Sequence, residues 1–122
     1  MNKNFTPHED REQAAVIQWA EYESGRLPGV NLIYAIPNGG SRNKIEAANL
    51  KRTGVKPGVP DLFLPVARRG CHGLYIEMKR REGGRLSENQ RVWLKRLHEQ
   101  GYAAVVCHGF DEAVTAIENY YK

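Results

Sequence analysis

Cysteine and histidine are scarce in this chain of 122 residues. Its two cysteines, Cys71 and Cys107, are too few and too far apart to indicate a disulfide framework or a zinc site. The four histidines are scattered, and none of them has a partner at the spacing of a metal-binding motif. The sequence therefore excludes a disulfide-rich scaffold and assigns no histidine a functional role.

Long apolar runs are missing as well. No run approaches the roughly 20 residues that a membrane-spanning helix needs, and the first ten residues, MNKNFTPHED, lack the apolar core of a signal peptide. We therefore expect a cytoplasmic protein. The chain contains no internal repeat, low-complexity tract or linker, and its length suits one hydrophobic core, so we expect a single domain over residues 1–122.

Positive charge is concentrated in the middle of the chain. The net charge is only +4, but residues 42–96 contain 14 Lys and Arg against 5 Asp and Glu, and the rest of the chain is net negative. A basic centre between acidic ends is the distribution that a polyanion-binding face would produce. The alternative is a solvated basic surface without a ligand, and charge alone does not separate the two.

Hydrophobic periodicity and helix caps divide the chain into alternating elements. The predicted helices run from Thr6 to about Ser24, from Ser41 to Gly54, from Ser87 to Gly101 and from Asp111 to the end. The predicted strands cover residues 30–37, 61–64, 73–79 and 102–107. The order α-β-α-β-β-α-β-α predicts an α/β domain in which helices flank a four-stranded mixed sheet. The two central strands should form an antiparallel hairpin.

Three of the predicted helices have an apolar stripe that should face the core. The stripes are Ala15, Val16, Trp19 and Ala20 in the first helix, Trp93, Leu94 and Leu97 in the third, and Val114, Ile117 and Tyr121 in the last. Thr6 is followed by Glu9, and Ser87 by Gln90, each at the three-residue spacing of a capping box.

Acidic side chains occupy strand positions where apolar residues would be expected. In GLYIEMK, residues 73–79, side chains alternate between the two faces of the strand, so Glu77 and Lys79 point to the same side. Asp61 begins the neighbouring strand directly after the stiff turn at residues 58–60. Two carboxylates that lie close together repel each other unless a cation sits between them. Oxygen ligands without His or Cys suit Mg²⁺ or Mn²⁺.

This arrangement predicts a metal-dependent hydrolytic site. A metal held by Asp61, Glu77 and the main-chain carbonyl of Met78 could polarise a phosphate oxygen and acidify a bound water. Lys79 could orient or deprotonate that water, or offset the charge that builds on the phosphorane. The alternative is a structural ion pair on a half-exposed hairpin, and an E-x-K triplet by itself does not exclude it.

The motifs taken together resemble a known family. The segment GVKPGVPD at residues 54–61, the 15 residues between Asp61 and Glu77, and IEMK at residues 76–79 are similar to the PD-(D/E)-x-K nucleases, and more narrowly to the virus-type replication–repair nucleases, VRR-NUC. The PNGG turn at residues 37–40 and the Ser-x-x-Gln helix start belong to the same resemblance. It implies a restriction-endonuclease-like core and a phosphodiesterase site at Asp61, Glu77 and Lys79.

Two further site residues come with the resemblance. Glu12 faces the core side of the first helix and corresponds to a helix acid that helps to bind metal in related nucleases. The alternative for Glu12 is a first-turn acid that favours the helix dipole. Gln90 points inward and corresponds to a residue that positions the lysine or water, whereas the alternative is a helix cap for Ser87.

Basic residues that flank the acids should contact DNA phosphates. They lie on both sides of the acids: Arg42, Lys44, Lys51, Arg52 and Lys56 before them, and Arg80, Arg81 and Arg85 after them. Asn38, with Gly39 and Gly40, offers a close backbone approach to a phosphate; the alternative is a plain turn. We expect recognition of backbone and shape rather than of a base sequence.

The resemblance implies a Mg²⁺- or Mn²⁺-dependent endonuclease that cuts DNA, selects branched substrates such as Holliday junctions, and works as a homodimer in the cytoplasm of a bacterial or phage-infected cell. The alternative is a non-catalytic or accessory DNA-binding protein of a replication or recombination complex, in which the acids form an ion-pair cluster.

Overall fold

The computed structural model describes residues 7–37 and 43–122. Its elements are, in chain order, α1 (Pro7–Tyr22), a 3-10 turn (Val30–Leu32), β1 (Tyr34–Ala35), α2 (Lys44–Arg52), β2 (Leu62–Leu64), β3 (Leu74–Lys79), α3 (Glu88–Glu99), β4 (Ala103–His108) and α4 (Phe110–Tyr121). Apart from the short 3-10 turn, this is the predicted order of helices and strands. The α/β fold class is confirmed.

The sheet has the order β1-β2-β3-β4 and is mixed. β1 pairs with β2, and β2 with β3, in antiparallel register, whereas β3 and β4 run parallel along all six residues of each strand. The predicted hairpin of β2 and β3 is thus confirmed. Its connection turns at Arg69 and Gly70, which both have positive φ. β3, which carries the E-x-K motif, lies between two neighbours in the sheet.

One face of the sheet packs on the hydrophobic core. Leu62 and Leu64 of β2 and Leu74 and Ile76 of β3 lie on this face, and each is at most 1% exposed. α1 and α4 cover it with a set of buried side chains: Val16, Ala20, Ala113, Ile117 and Tyr120. The other face carries Tyr75, Glu77 and Lys79, and α3 packs beside it on β4. Glu77 and Lys79, the two charged residues of the E-x-K motif, are therefore on the face opposite the main core.

The buried stripe of α4 differs from the predicted one. Ala113, Ile117 and Tyr120 are buried, whereas Val114 and Tyr121 are only half-buried. Both sets have helical spacing. The observed set includes Tyr120, whose hydroxyl donates a 2.6 Å hydrogen bond to the Val66 carbonyl, and this hydrogen bond favours its burial. In α1, Val16 and Ala20 are buried while Ala15 and Trp19 are half-buried, and in α3 only Leu97 is fully buried.

The predicted strand at residues 30–37 is mostly not a strand. Gly29 has a φ of 85° and starts a 3-10 turn, in which the Leu32 amide donates to the Gly29 carbonyl. Only Tyr34 and Ala35 pair with β2. The β-branched and aromatic residues of this segment favour a strand, but the turn after Pro28 uses the backbone groups that a longer ladder would need.

Two helix starts also differ from their predictions. Asn43 caps α2 by accepting a 2.6 Å hydrogen bond from the Glu46 amide; Ser41, the predicted cap, lies outside the described residues. Gly109 is the N-cap of α4, and Asp111 lies in the first turn of that helix. The predicted cap Thr6 also lies outside the described residues, so its capping box stays a prediction.

Candidate active site

The β2–β3 hairpin places Asp61 beside Glu77. Leu62 pairs with Ile76 in antiparallel register, so the residue before Leu62 and the residue after Ile76 lie opposite each other on the same face. The Asp61 carboxylate accepts a 2.8 Å hydrogen bond from the Met78 amide, and its main-chain carbonyl accepts one from the Ile36 amide at 2.8 Å. Backbone groups on both sides therefore fix the position of this acid.

The glycine in the PGVPD segment brings the Asp61 loop against α3. Gly58 has a φ of 92°, and a Cβ at this position would lie 2.8 Å from the backbone carbonyl carbon of Asn89. Only glycine allows both this conformation and this approach. The loop that carries Asp61 and the first turn of α3 therefore pack directly on each other. Sequence reasoning explained the stiffness of this turn but missed its contact with α3.

Glu77 is buried, and Asp61 beside it is half-buried. Glu77 is 3% exposed, and burial, followed by the charge of Asp61, raises its pKa to about 8. Burial also raises the pKa of Asp61, although the hydrogen bond from the Met78 amide acts in the opposite direction. Near neutral pH and without a cation, the pair of carboxyls therefore retains a proton.

Lys79 reaches the carboxyl pair with the help of α3. Its Nζ lies 3.7 Å from Glu77 Oε2 and donates a 2.8 Å hydrogen bond to Gln90 Oε1. Gln90 Nε2 in turn donates to Glu77 Oε2 at 3.1 Å. Gln90 thus bridges the lysine and the acid of the E-x-K motif. The Lys79 side chain is 15% exposed, so water or a substrate can approach it from one side.

Gln90 is at the same time the helix cap that the sequence predicted. Ser87 Oγ accepts from the Gln90 amide at 3.1 Å, and Gln90 Oε1 accepts from the Ser87 amide at 2.9 Å, which completes a capping box. The sequence offers the helix cap and the active-site role of Gln90 as alternatives. In the structure the side chain that caps the helix also contacts Lys79 and Glu77, because the start of α3 lies over these two residues. The capping box is confirmed, and the catalytic role stays a prediction.

Asp61 and Glu77 fit a site for a divalent cation. They supply oxygen ligands only, and burial raises the pKa of both carboxyls, so the doubly ionised pair is unfavourable unless further positive charge is added. Hard cations such as Mg²⁺ and Mn²⁺ prefer such oxygens. The Met78 carbonyl, predicted as a third ligand, belongs to the residue whose amide holds Asp61.

Glu12 does not join this pair. Its carboxylate accepts hydrogen bonds from Arg81 and from the Phe110 amide at the start of α4. Among the described residues, no three or more Asp, Glu, His or Cys side chains are grouped so that they could hold a metal ion. The structure therefore brings together Asp61, Glu77, Lys79 and Gln90, and directs Glu12 elsewhere.

Comparison with known proteins identifies the family. A model of the VRR-NUC domain matches residues 7–111 of this chain. The chain belongs to the VRR-NUC family. The match includes every residue of the site described above. VRR-NUC proteins are a nuclease family, and the resemblance inferred from PGVPD and IEMK is confirmed.

A solved structure described as a VRR_NUC domain protein has the same fold. It superposes with a TM-score of 0.80 at 33% sequence identity, and the match covers 95% of this chain and 89% of that one. No curated protein gave a match. The VRR-NUC fold of this chain therefore rests on both a family model and a structural neighbour.

The predicted DNA-contacting residues of this VRR-NUC domain lie in two groups. Lys44 is the first residue of α2, Lys51 and Arg52 lie in its last turn, and Lys56 follows in the loop before Pro57; all four are exposed. Arg80, Arg81 and Arg85 follow the end of β3 and are also exposed. Asn38 and Arg42, with Gly39 and Gly40, lie outside the described residues. Contact of any of these residues with DNA stays a prediction.

Arg81 differs from the other predicted DNA contacts. It donates to both oxygens of Glu12 and lies 3.4 Å from Asp111, so it is engaged within the protein. A predicted metal ligand and a predicted DNA contact thus bind each other. No local pattern in the sequence indicates this pairing, because Glu12 and Arg81 are 69 positions apart.

None of the helices in the described part of the chain is both long and apolar enough to cross a membrane.

Proposed function

We propose that this VRR-NUC domain is a Mg²⁺- or Mn²⁺-dependent endonuclease that hydrolyses DNA phosphodiester bonds. The observation that carries the proposal is the pairing of half-buried Asp61 with buried Glu77, in which the pKa of Glu77 is raised to about 8. Burial of two acids side by side is unfavourable without a ligand, and a divalent cation removes that repulsion. A structural ion pair would instead be expected to lower the pKa of its acid.

Each residue of the site has a distinct task in this proposal. Asp61 and Glu77 hold the cation, with the Met78 carbonyl as a further ligand. When bound, such a cation polarises a phosphate oxygen and lowers the pKa of water. Lys79 orients the attacking water or offsets the charge that develops on the phosphate. Gln90 supports Lys79 through its 2.8 Å hydrogen bond and so keeps the ammonium beside Glu77.

For the substrate we propose branched DNA, such as a four-way junction. Exposed basic residues on α2, together with Arg80 and Arg85 after β3, suit contacts with phosphates rather than with base edges. Such contacts respond to the shape and charge of the substrate. The proposal predicts cleavage that falls steeply with ionic strength.

A cleavage assay tests the proposed function. Labelled four-way junction, flap, duplex and single-stranded DNA are incubated with Mg²⁺, Mn²⁺ or EDTA. We expect cleavage with either metal, none with EDTA, and preference for the branched substrates. Lys79→Ala and Asp61→Asn should each abolish cleavage, whereas Lys95→Ala and Asp10→Asn, matched changes at exposed positions, should retain it.

The outcomes separate the rival interpretations. A wild-type protein that binds DNA but cuts none of the substrates with either metal would favour the alternative, an accessory DNA-binding protein. Cleavage that survives both Lys79→Ala and Asp61→Asn would mean that the activity resides at another site. Equal cleavage of all four substrates would support the proposed nuclease activity and contradict the proposed selectivity for branched DNA.

We further propose that the active form is a homodimer, because two matched cuts in a four-way junction need two active sites. Size-exclusion chromatography with light scattering should give a mass near twice the 13.8 kDa of one chain. A monomeric mass that persists on addition of junction DNA would contradict this part of the proposal alone.

A further inference from the structure

Arg81 and Glu12 form a close ion pair between two distant parts of the chain. Arg81 Nε donates to Glu12 Oε2 at 2.6 Å, and Arg81 Nη2 donates to Glu12 Oε1 at 3.1 Å. A guanidinium that donates to both oxygens of a carboxylate fixes the relative position of the two groups better than a single contact does. The pair therefore joins α1 to the segment that follows β3.

Glu12 also caps α4. Gly109, the N-cap of α4, has no side chain that could accept a hydrogen bond from the helix amides. Glu12 Oε1 instead accepts a 2.8 Å hydrogen bond from the Phe110 amide. A carboxylate at this position satisfies one of the unpaired amides of the helix and interacts favourably with its dipole. The Glu12 side chain is 21% exposed. Both of its oxygens are thus used in contacts within the protein.

Gly109 links this ion pair to the catalytic strand. The Gly109 amide donates a 3.1 Å hydrogen bond to the main-chain carbonyl of Lys79. The Arg81 side chain lies across Gly109 so closely that a Cβ there would be 2.8 Å from Arg81 Cγ. Gly109 has a φ of 95°, which glycine adopts readily. The contacts therefore run from Glu12 through Arg81 and Gly109 to the backbone of Lys79.

We propose that Glu12 and Arg81 are positioning residues that hold the backbone of Lys79 in place, and that Glu12 is not a ligand of the metal. The part that concerns the metal and Lys79 rests on the proposed nuclease function. On this view the metal ligands among the described side chains are Asp61, directly before β2, and Glu77 of β3. Glu12 instead holds together α1, the start of α4 and the segment that follows β3.

The test compares Glu12→Gln, Arg81→Met and the double variant with the wild type. Glu99→Gln and Arg91→Met, at exposed positions of α3, are the matched controls. Three quantities are measured: the Tm in EDTA, the Kd for Mn²⁺ by calorimetry with Asp61→Asn as a reference, and kcat and KM on cleavable DNA at saturating Mn²⁺. Conditions in which every variant remains folded are chosen from the Tm values.

We expect both single variants to lower the Tm by a few degrees, and the double variant to lower it by less than the sum, because the two residues act on each other. Glu12→Gln and Arg81→Met should leave the Kd for Mn²⁺ at the wild-type value, whereas Asp61→Asn should raise it at least about tenfold. Both should lower kcat with little change in KM, as expected when Lys79 is displaced and DNA binding is retained.

Each contrary result has a separate meaning. If Glu12→Gln raises the Kd for Mn²⁺ as Asp61→Asn does, Glu12 is a metal ligand and the proposal is overturned. If Arg81→Met raises KM and leaves kcat unchanged, Arg81 contacts DNA instead. If the Tm loss of the double variant equals the sum of the two single losses, Glu12 and Arg81 do not act as a pair, and the proposal is overturned as well. If the wild type neither binds Mn²⁺ nor cleaves DNA, the nuclease proposal fails, and the Tm values still decide whether Glu12 and Arg81 act together.

Discussion

Replacing Glu77 by glutamine should remove most of the pH dependence of stability of the metal-free protein. Glutamine keeps the size of the side chain and an oxygen that can accept from Gln90 Nε2, but it cannot ionise. In the wild type, burial and the charge of Asp61 raise the pKa of Glu77 from 4.5 to about 8. The folded state therefore binds this proton more tightly than the unfolded state does.

The sign and size of the effect follow from this difference in pKa. Below pH 4.5, Glu77 is protonated in both states and its contribution to stability is fully present; above that, only the unfolded chain releases the proton. The free energy of unfolding should thus fall as the pH rises, until Glu77 also ionises in the folded state near pH 8. Between pH 5 and pH 8 the loss amounts to about 3–4 kcal/mol.

Urea denaturation in EDTA at several values between pH 5 and pH 8.5 measures this loss. The wild type should lose stability over the range, and the curve for Glu77→Gln should be nearly flat, so that the variant is the more stable protein at pH 8. Glu99→Gln, an exposed control on α3, should follow the wild type. Parallel curves for wild type and Glu77→Gln would refute the reasoning, because they would mean that Glu77 is ionised and compensated in the folded protein.

Further predictions concern the metal and the loops that hold the site. Mn²⁺ should raise the Tm of the wild type more at pH 8 than at pH 6, because the metal competes with the proton on Glu77. When the free Mn²⁺ concentration is about 100 times the Kd, the metal stabilises the folded protein by about 2.7 kcal/mol. Glu77→Gln should lose this response in the same thermal scans. Ser87→Ala should cost about 1 kcal/mol in urea denaturation, and it should also lower kcat because it loosens the start of the helix that carries Gln90. Gly58→Ala should lower both the Tm and the cleavage rate, since its φ of 92° and the 2.8 Å approach to Asn89 leave no room for a Cβ; a variant with wild-type Tm and activity would show that the Asp61 loop can move without effect.

Much of the fold follows from patterns that are local in the sequence. The Ser87–Gln90 capping box forms because the two residues are three positions apart, and this spacing suffices for both of its hydrogen bonds. The hairpin of β2 and β3 follows from two strands joined by a turn-forming connection, and its alternation places Glu77 and Lys79 on one face. The family, too, was recognisable from PGVPD and IEMK, and the family model confirms it.

The tertiary structure decided the features that depend on distant partners. The pairing of Glu12 with Arg81 joins residues 69 positions apart, and no periodicity of α1 predicts which side chain will meet its acid. The second role of Gln90 depends on where α3 packs, because its hydrogen bonds to Lys79 and Glu77 cross from helix to sheet. The buried stripe of α4 and the short β1 were likewise set by packing and by turn geometry rather than by propensity. Sequence alone thus named Asp61, Glu77 and Lys79 as candidates through local pattern and family resemblance, whereas only the folded chain could show which of the outer residues reach them, since hydrogen bonds between distant segments exist only once those segments have packed.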